Sequence, residues 1–105
     1  MTEDRHVSIK AHGETLAEAT ISPPNDDGEA RVDVSTESGH LPVGTRQSLA
    51  DAIHDVLTEV HAVRVSATIP LGDAEMVEGI GGHLDDVELR AAGATSIVEG
   101  TVAGD

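Results

Sequence analysis

Only one cluster among this chain's six histidines and twenty carboxylates has a spacing that could do chemistry. Asp51, His54, Asp55 and Thr58 lie three and four residues apart, so on a helix they share one surface. An Asp–His pair in that arrangement could act as a general base or supply two metal ligands. The plainer alternative is a solvated helix face with ordinary charge pairing. A metal-assisted hydrolase using His54 and Asp51 is one functional reading. His61 falls at the end of the same segment, where a cation meets the carbonyl end of a helix. His12 and His40 sit beside glycines in turn-like stretches. His6 and His83 have weaker cases still.

Other reactive patterns are absent. The chain has no cysteine, and therefore no disulfide, thiolate or cysteine-rich zinc site. It has no G-x-S-x-G elbow. Asp26-Asp27-Gly28-Glu29 lacks the alternating ligands of a calcium loop and reads as a turn. The sequence therefore nominates no catalytic residue and no metal site.

The elements that would carry these residues centre on 43–69. Gly44–Thr45 breaks the preceding segment, and Thr45, or Ser48 with Asp51 in capping-box spacing, could cap a helix. Leu49, Ala52, Ile53, Val56, Leu57 and Val60 form one apolar stripe at about 100° per residue. No Gly or Pro interrupts 46–61, which is expected to be helical. Next, 63–69 alternates as a strand, with Val63, Val65, Ala67 and Ile69 on one face, and Pro70 and Gly72 end it. Before this unit, 6–11 and 14–21 read as a hairpin turning at His12–Gly13. Residues 29–36 read as a third strand, with Ala30, Val32 and Val34 inward and Arg31, Asp33 and Ser35 outward. Residues 37–44 are expected to be loop. After the unit, Asp73 could cap a short helix over 74–80, whose apolar side is Met76, Val77 and Ile80. Gly81–Gly82 would stop it, although Gly79, Gly81 and Gly82 could also allow close backbone approach. Residues 86–91 and 94–102 read as a final hairpin, with Arg64 and Arg90 in cross-strand ion pairs. The expected fold is α+β, in the order β-β-β-α-β-α-β-β. It is one domain with an ordered core over 6–102, a mostly antiparallel mixed sheet, and both helices mainly on one face.

Composition narrows the partners. The formal charge of −14 disfavours nucleic acid and anionic membrane surfaces. No segment is long and apolar enough for a transmembrane helix, and no signal peptide is evident, so a cytoplasmic location is the default. Phe, Tyr and Trp are all missing, and apolar residues make up 38 %. A core of small aliphatic side chains buries less area per residue, which leaves a thin stability margin. A homodimer in which an edge strand pairs with, or is covered by, a second copy would widen that margin.

The order of elements resembles the C-terminal two-thirds of the GNAT acyltransferase fold, without the family's first strand and its two N-terminal helices. Two local stretches are similar to family motifs. Leu41-Pro42-Val43-Gly44-Thr45-Arg46 falls where the family places a glycine-rich loop that holds the acyl-CoA pyrophosphate. A helix N-terminus offers free N–H groups suited to that anion. The resemblance therefore implies cofactor binding by Val43, Gly44, Thr45 and Arg46. Met76-Val77-Glu78-Gly79-Ile80-Gly81-Gly82 is similar to the family's turn at its last helix, and it puts Val77 where a tyrosine general acid often stands. Valine cannot donate a proton. The leading expectation is thus a non-catalytic structural or interaction module that self-associates. The alternative is an acyl-CoA-binding N-acyltransferase-like protein, or a degenerate remnant of one. A V-shaped gap between the strand after the first helix and its successor would favour the alternative. A flat sheet with an apolar exposed face would favour assembly.

Overall fold

A computed structural model describes residues 3–36 and 41–102. Eight elements follow in the expected order: β1 (Arg5–Ala11), β2 (Glu14–Ile21), β3 (Glu29–Thr36), α1 (Thr45–Glu59), β4 (Arg64–Pro70), α2 (Ala74–Gly81), β5 (Leu84–Ala92) and β6 (Thr95–Val102). They build one six-stranded sheet in the order β1-β2-β3-β4-β6-β5. Every neighbouring pair is antiparallel except β3 with β4, which are parallel. α1 makes the crossover between those two strands, as a parallel connection requires.

Strand alternation determines which face is buried. Ala17, Ala19 and Ile21 of β2, Ala30, Val32 and Val34 of β3, Val65, Ala67 and Ile69 of β4, and Val98 of β6 all point to one side. The helices cover that side. Leu49, Ala50, Ile53, Val56 and Leu57 come from α1, and Met76 and Ile80 from α2. α1 lies over β1 and β2, and α2 over β5 and β6. The opposite face is polar and open. Because every buried apolar side chain is aliphatic, volume is made up by close backbone approach. A Cβ on Gly79 would lie 3.2 Å from the Ala50 Cβ, so glycine lets α2 sit directly on α1.

Local chemistry sets the boundaries. His12 (φ 52°) and Gly13 (φ 81°) make a two-residue turn with both residues left-handed, which suits a tight hairpin. The Asn25 side chain accepts from the N–H groups of Asp27 and Glu29 and so shapes the 25–29 turn. α1 does not begin with a side-chain cap. Gly44 is its N-cap at φ 88°, and Thr45 is a buried first helical residue, so the expected capping by Thr45 or Ser48 does not occur. α1 ends two residues earlier than its periodicity implied. The Ala62 N–H reaches back to the Leu57 carbonyl and the His61 N–H to that of Thr58, with His61 left-handed at φ 60°. This is a Schellman closure with Ala62 packed inward. It starts β4 at Arg64 and leaves Val63 56 % exposed, not on the core face.

β5 also departs from expectation. It begins at Leu84, which is buried, and carries a bulge between Asp85 and Glu88. Asp86 is left-handed at φ 53°. Gly100 of β6 makes room for the bulge, since a Cβ there would come within 3.0 Å of the Asp85 carbonyl oxygen and the Leu84 Cβ.

Candidate functional site: the parting of two parallel strands

β3 and β4 pair from Glu29/Arg64 to Asp33/Thr68, and no further. Both continue: β3 stays paired with β2 out to Thr36, and β4 with β6 out to Pro70. The two parallel strands therefore lose each other while each remains bonded to its other neighbour, and the sheet opens at their C-terminal ends. The expected site of a gap, between β4 and the next strand in sequence, is not where it lies. β6 fills that side completely, and the opening is between β3 and β4. Chain order misled here because β4's neighbours come from either side of the sequence.

The N-termini of both helices gather at this open end, because α1 follows β3 and α2 follows β4. Asp73 caps α2, accepting from the Met76 N–H at 3.2 Å. The same carboxylate accepts from the Arg46 Nε at 2.8 Å and from the Thr36 hydroxyl at 3.2 Å. Asp73 is 8 % and Arg46 20 % exposed at the side chain. One buried carboxylate thus joins the end of β3, the first turn of α1 and the start of α2. The Arg46 Nε thus meets a neighbouring carboxylate.

The four residues expected to hold a diphosphate share a short segment, but the structure does not make them equivalent. Thr45 is buried and its N–H is bonded to the Pro42 carbonyl at 3.1 Å. Val43 is fully exposed. Gly44 has open space where a Cβ would project. Ser48 N–H bonds to the Gly44 carbonyl, while the N–H groups of Arg46 and Gln47 have no backbone acceptor among the described residues. The first turn of α1 therefore presents donors next to a guanidinium. That donor set fits an anion.

Asp51 and His54 share their face of α1 with a third residue that spacing did not name. Asp51 lies 2.8 Å from His83 Nε2 and also accepts from the Gln47 amide at 2.8 Å. With a carboxylate as acceptor, that ring nitrogen carries the proton. His54 stacks on the His83 ring, with centroids 4.4 Å apart. The His83 contact first, and Gln47 second, hold the Asp51 carboxyl below its ordinary value. His83 follows the C-cap of α2, so only tertiary packing brings it to α1, and helical spacing gave no hint of it. No group of three or more ligating side chains among the described residues could hold a metal ion. The metal-assisted hydrolase reading built on His54 and Asp51 finds no set of three ligating side chains around them among the described residues. His40 lies outside the described residues.

The open sheet face carries a shallow polar groove of about 510 Å³, lined in part by Arg31, Asp33, Ser66, Thr68, Arg90 and Glu99. It is not the apolar face that would favour assembly through the sheet. Arg90 pairs with Glu99 across strands at 3.5 Å, as expected. Arg64 makes no ion pair among the described residues, against expectation, although it stands between Thr101 of β6 and Glu29 of β3 in register.

No protein-family model and no curated protein matches the sequence. Solved structures do match the fold. A putative acetyltransferase from Salmonella typhimurium, solved with acetyl-CoA, superposes at TM-score 0.67 and 11 % identity, over 97 % of this chain and 65 % of that one. A GNAT-family acetyltransferase from Streptococcus pneumoniae does so at 0.68 and 11 %, over 96 % and 67 %. The ribosomal-protein-S18-alanine N-acetyltransferase of Escherichia coli gives 0.64 and 11 %, over 97 % and 71 %. This is a partial GNAT-like fold. The chain spans about two thirds of the length of these GNAT structures. At such identities the likeness establishes architecture alone. No helix among the described residues is long and apolar enough to cross a membrane.

Proposed function

We propose that the protein is an acyl-CoA-binding module of the GNAT-like type that lacks a side-chain general acid. The observation that carries this reading is the opening between β3 and β4 with the first turn of α1 at its mouth. The solved neighbours add support, since one of them was determined with acetyl-CoA. The N–H groups of Arg46 and Gln47, with the Arg46 guanidinium, would hold the diphosphate by charge-assisted bonds. Gly44 would let the ligand approach the loop closely. Acyl-CoA would bring a thioester-bound acyl group to the opening.

The protein's own residues position a ligand better than they move a proton. Val77 is half-buried against the core, and the chain contains no tyrosine. The carboxylate at the opening, Asp73, is already committed to Arg46, Thr36 and the α2 cap. Binding without efficient transfer is therefore the expected behaviour, which joins the interaction-module reading to the cofactor reading.

Calorimetry with acetyl-CoA, CoA and inorganic diphosphate tests this. Acetyl-CoA should bind, and Arg46→Ala should weaken it about tenfold, equivalent to about 1.4 kcal/mol. Arg46→Lys should retain only part of the affinity, because a point charge replaces a planar fork. Absence of acetyl-CoA binding in a folded sample, or identical affinity in Arg46→Ala, would overturn the reading.

A further inference from the structure

β5 is the last strand of the sheet, and its outer edge has no neighbour among the described residues. Every residue in it except Leu84 is exposed, including the large apolar side chains of Val87 and Leu89. Hydrogen-bond parity follows from the hairpin. The two-residue turn Gly93–Ala94, with Gly93 at φ 63°, makes Ala92 and Thr95 a hydrogen-bonded pair. Alternation then turns the N–H and C=O of Arg90 and Glu88 toward β6, and aims those of Leu89 and Ala91 outward.

The side chains on this edge are also sorted. Leu89 stands opposite Val98, which is buried under the helices, so Leu89 belongs to the helix-bearing side. Glu88 and Arg90 belong to the open side, opposite Glu99 and Ile97. Glu88 thus faces a like charge within its own chain, an arrangement that destabilises a strand pair.

We propose that β5 is the interface through which two copies of this chain join, antiparallel, about a two-fold axis at Leu89. In that register Leu89 meets the partner's Leu89, Val87 meets the partner's Ala91, and Glu88 meets the partner's Arg90 twice over. The pattern selects this centre. A two-fold perpendicular to the sheet keeps the helix side facing the helix side, so the axis must pass through a residue. Placing it at Glu88 or at Arg90 would set like charges directly opposite each other. Only Leu89 gives an apolar centre flanked by opposite charges. The surface is therefore complementary to itself, as an isologous interface must be, and this argues for a second copy over an unrelated strand. The bulge between Asp85 and Glu88 takes in Asp86 and Val87 and ends the regular edge there, so no longer register is available. The interface is short, and association should be concentration-dependent.

The test is sedimentation equilibrium over a concentration series at about 0.15 M salt, where the long-range repulsion between two chains of charge −14 is screened beyond about 8 Å while charges in contact still act. Wild-type protein should shift toward twice the protomer mass as concentration rises. Leu89→Arg should remain at protomer mass. Glu88→Arg should also remain at protomer mass while keeping or raising its melting temperature, because the new arginine faces Glu99 within the chain. The swap Glu88→Arg with Arg90→Glu should associate again. Circular dichroism confirms that each variant is folded. Protomer mass for wild type at every concentration overturns the proposal, as does association that survives Leu89→Arg and Glu88→Arg. A folded swap variant that stays at protomer mass overturns the register.

Discussion

Arg46 in the first turn of α1 and Asp73 at the cap of α2 lie 27 residues apart in sequence and 2.8 Å apart in space. They join the two helices that follow the two parallel strands, at the point where those strands separate. Arg46→Ala leaves a mostly buried carboxylate with only the Thr36 hydroxyl and the Met76 N–H. The expected loss is about 1.5–3 kcal/mol. For a domain of this size each kcal/mol lowers the melting temperature by about 4–8 °C. A double-mutant cycle with Asp73→Asn should show coupling, and strictly additive losses would show that the contact carries no stability.

The Asp51–His83 contact makes a pH prediction. Asp51 has a folded-state pKa below its unfolded one, first through the His83 hydrogen bond and then through Gln47. Its contribution is therefore complete above the ordinary carboxylate pKa and disappears as pH falls through the lowered one. In His83→Ala the Asp51 carboxyl should titrate at higher pH, read by side-chain carboxyl NMR. An unchanged titration would assign the effect to another neighbour.

Gly79 sits inside a helix, where alanine ordinarily gains about 1 kcal/mol. Here the added methyl would meet the Ala50 Cβ at 3.2 Å, and Ala50 is buried with its Cβ fixed to its own helix. Gly79→Ala should therefore lower the midpoint of urea unfolding, and adding Ala50→Gly should recover it. A stabilised single variant would mean that the two helices separate easily.

His61 holds a left-handed conformation that glycine adopts without strain. His61→Gly should stabilise the protein by about 1 kcal/mol. The gain should appear as slower hydrogen exchange at the Ala62 amide, which donates the closing bond to Leu57. Exchange that is unchanged or faster would argue against strain at this position.

Much of the architecture was legible because it is local. Ala30, Val32 and Val34 alternate with charged neighbours, Leu49 to Leu57 repeat with helical period, and Asp73 sits one residue before an apolar turn. The helix-to-strand junction was less legible. Val63 continues the alternation of β4, but the Schellman closure at His61 and Ala62 consumes the chain that would have carried it inward. The surroundings of the candidate residues were also less legible. Helical spacing grouped Asp51 with His54, and the structure adds His83, more than thirty residues away from Asp51, to both. The opening between β3 and β4 could not be placed from sequence because strand order differs from chain order. The bulge in β5 left only a faint trace, a glycine at position 100 inside an otherwise regular strand. The resemblance to acyltransferases identified the architecture correctly.

The sheet has two halves, β1-β2-β3 and β4-β6-β5, each stitched internally by antiparallel hydrogen bonds. Between them runs one parallel seam of five residue pairs. Such a molecule should first come apart along that line. Amides of Arg31 to Asp33 and Ser66 to Thr68 that donate across the seam should then exchange together, ahead of those inside either half, as two rigid leaves turn about a common spine.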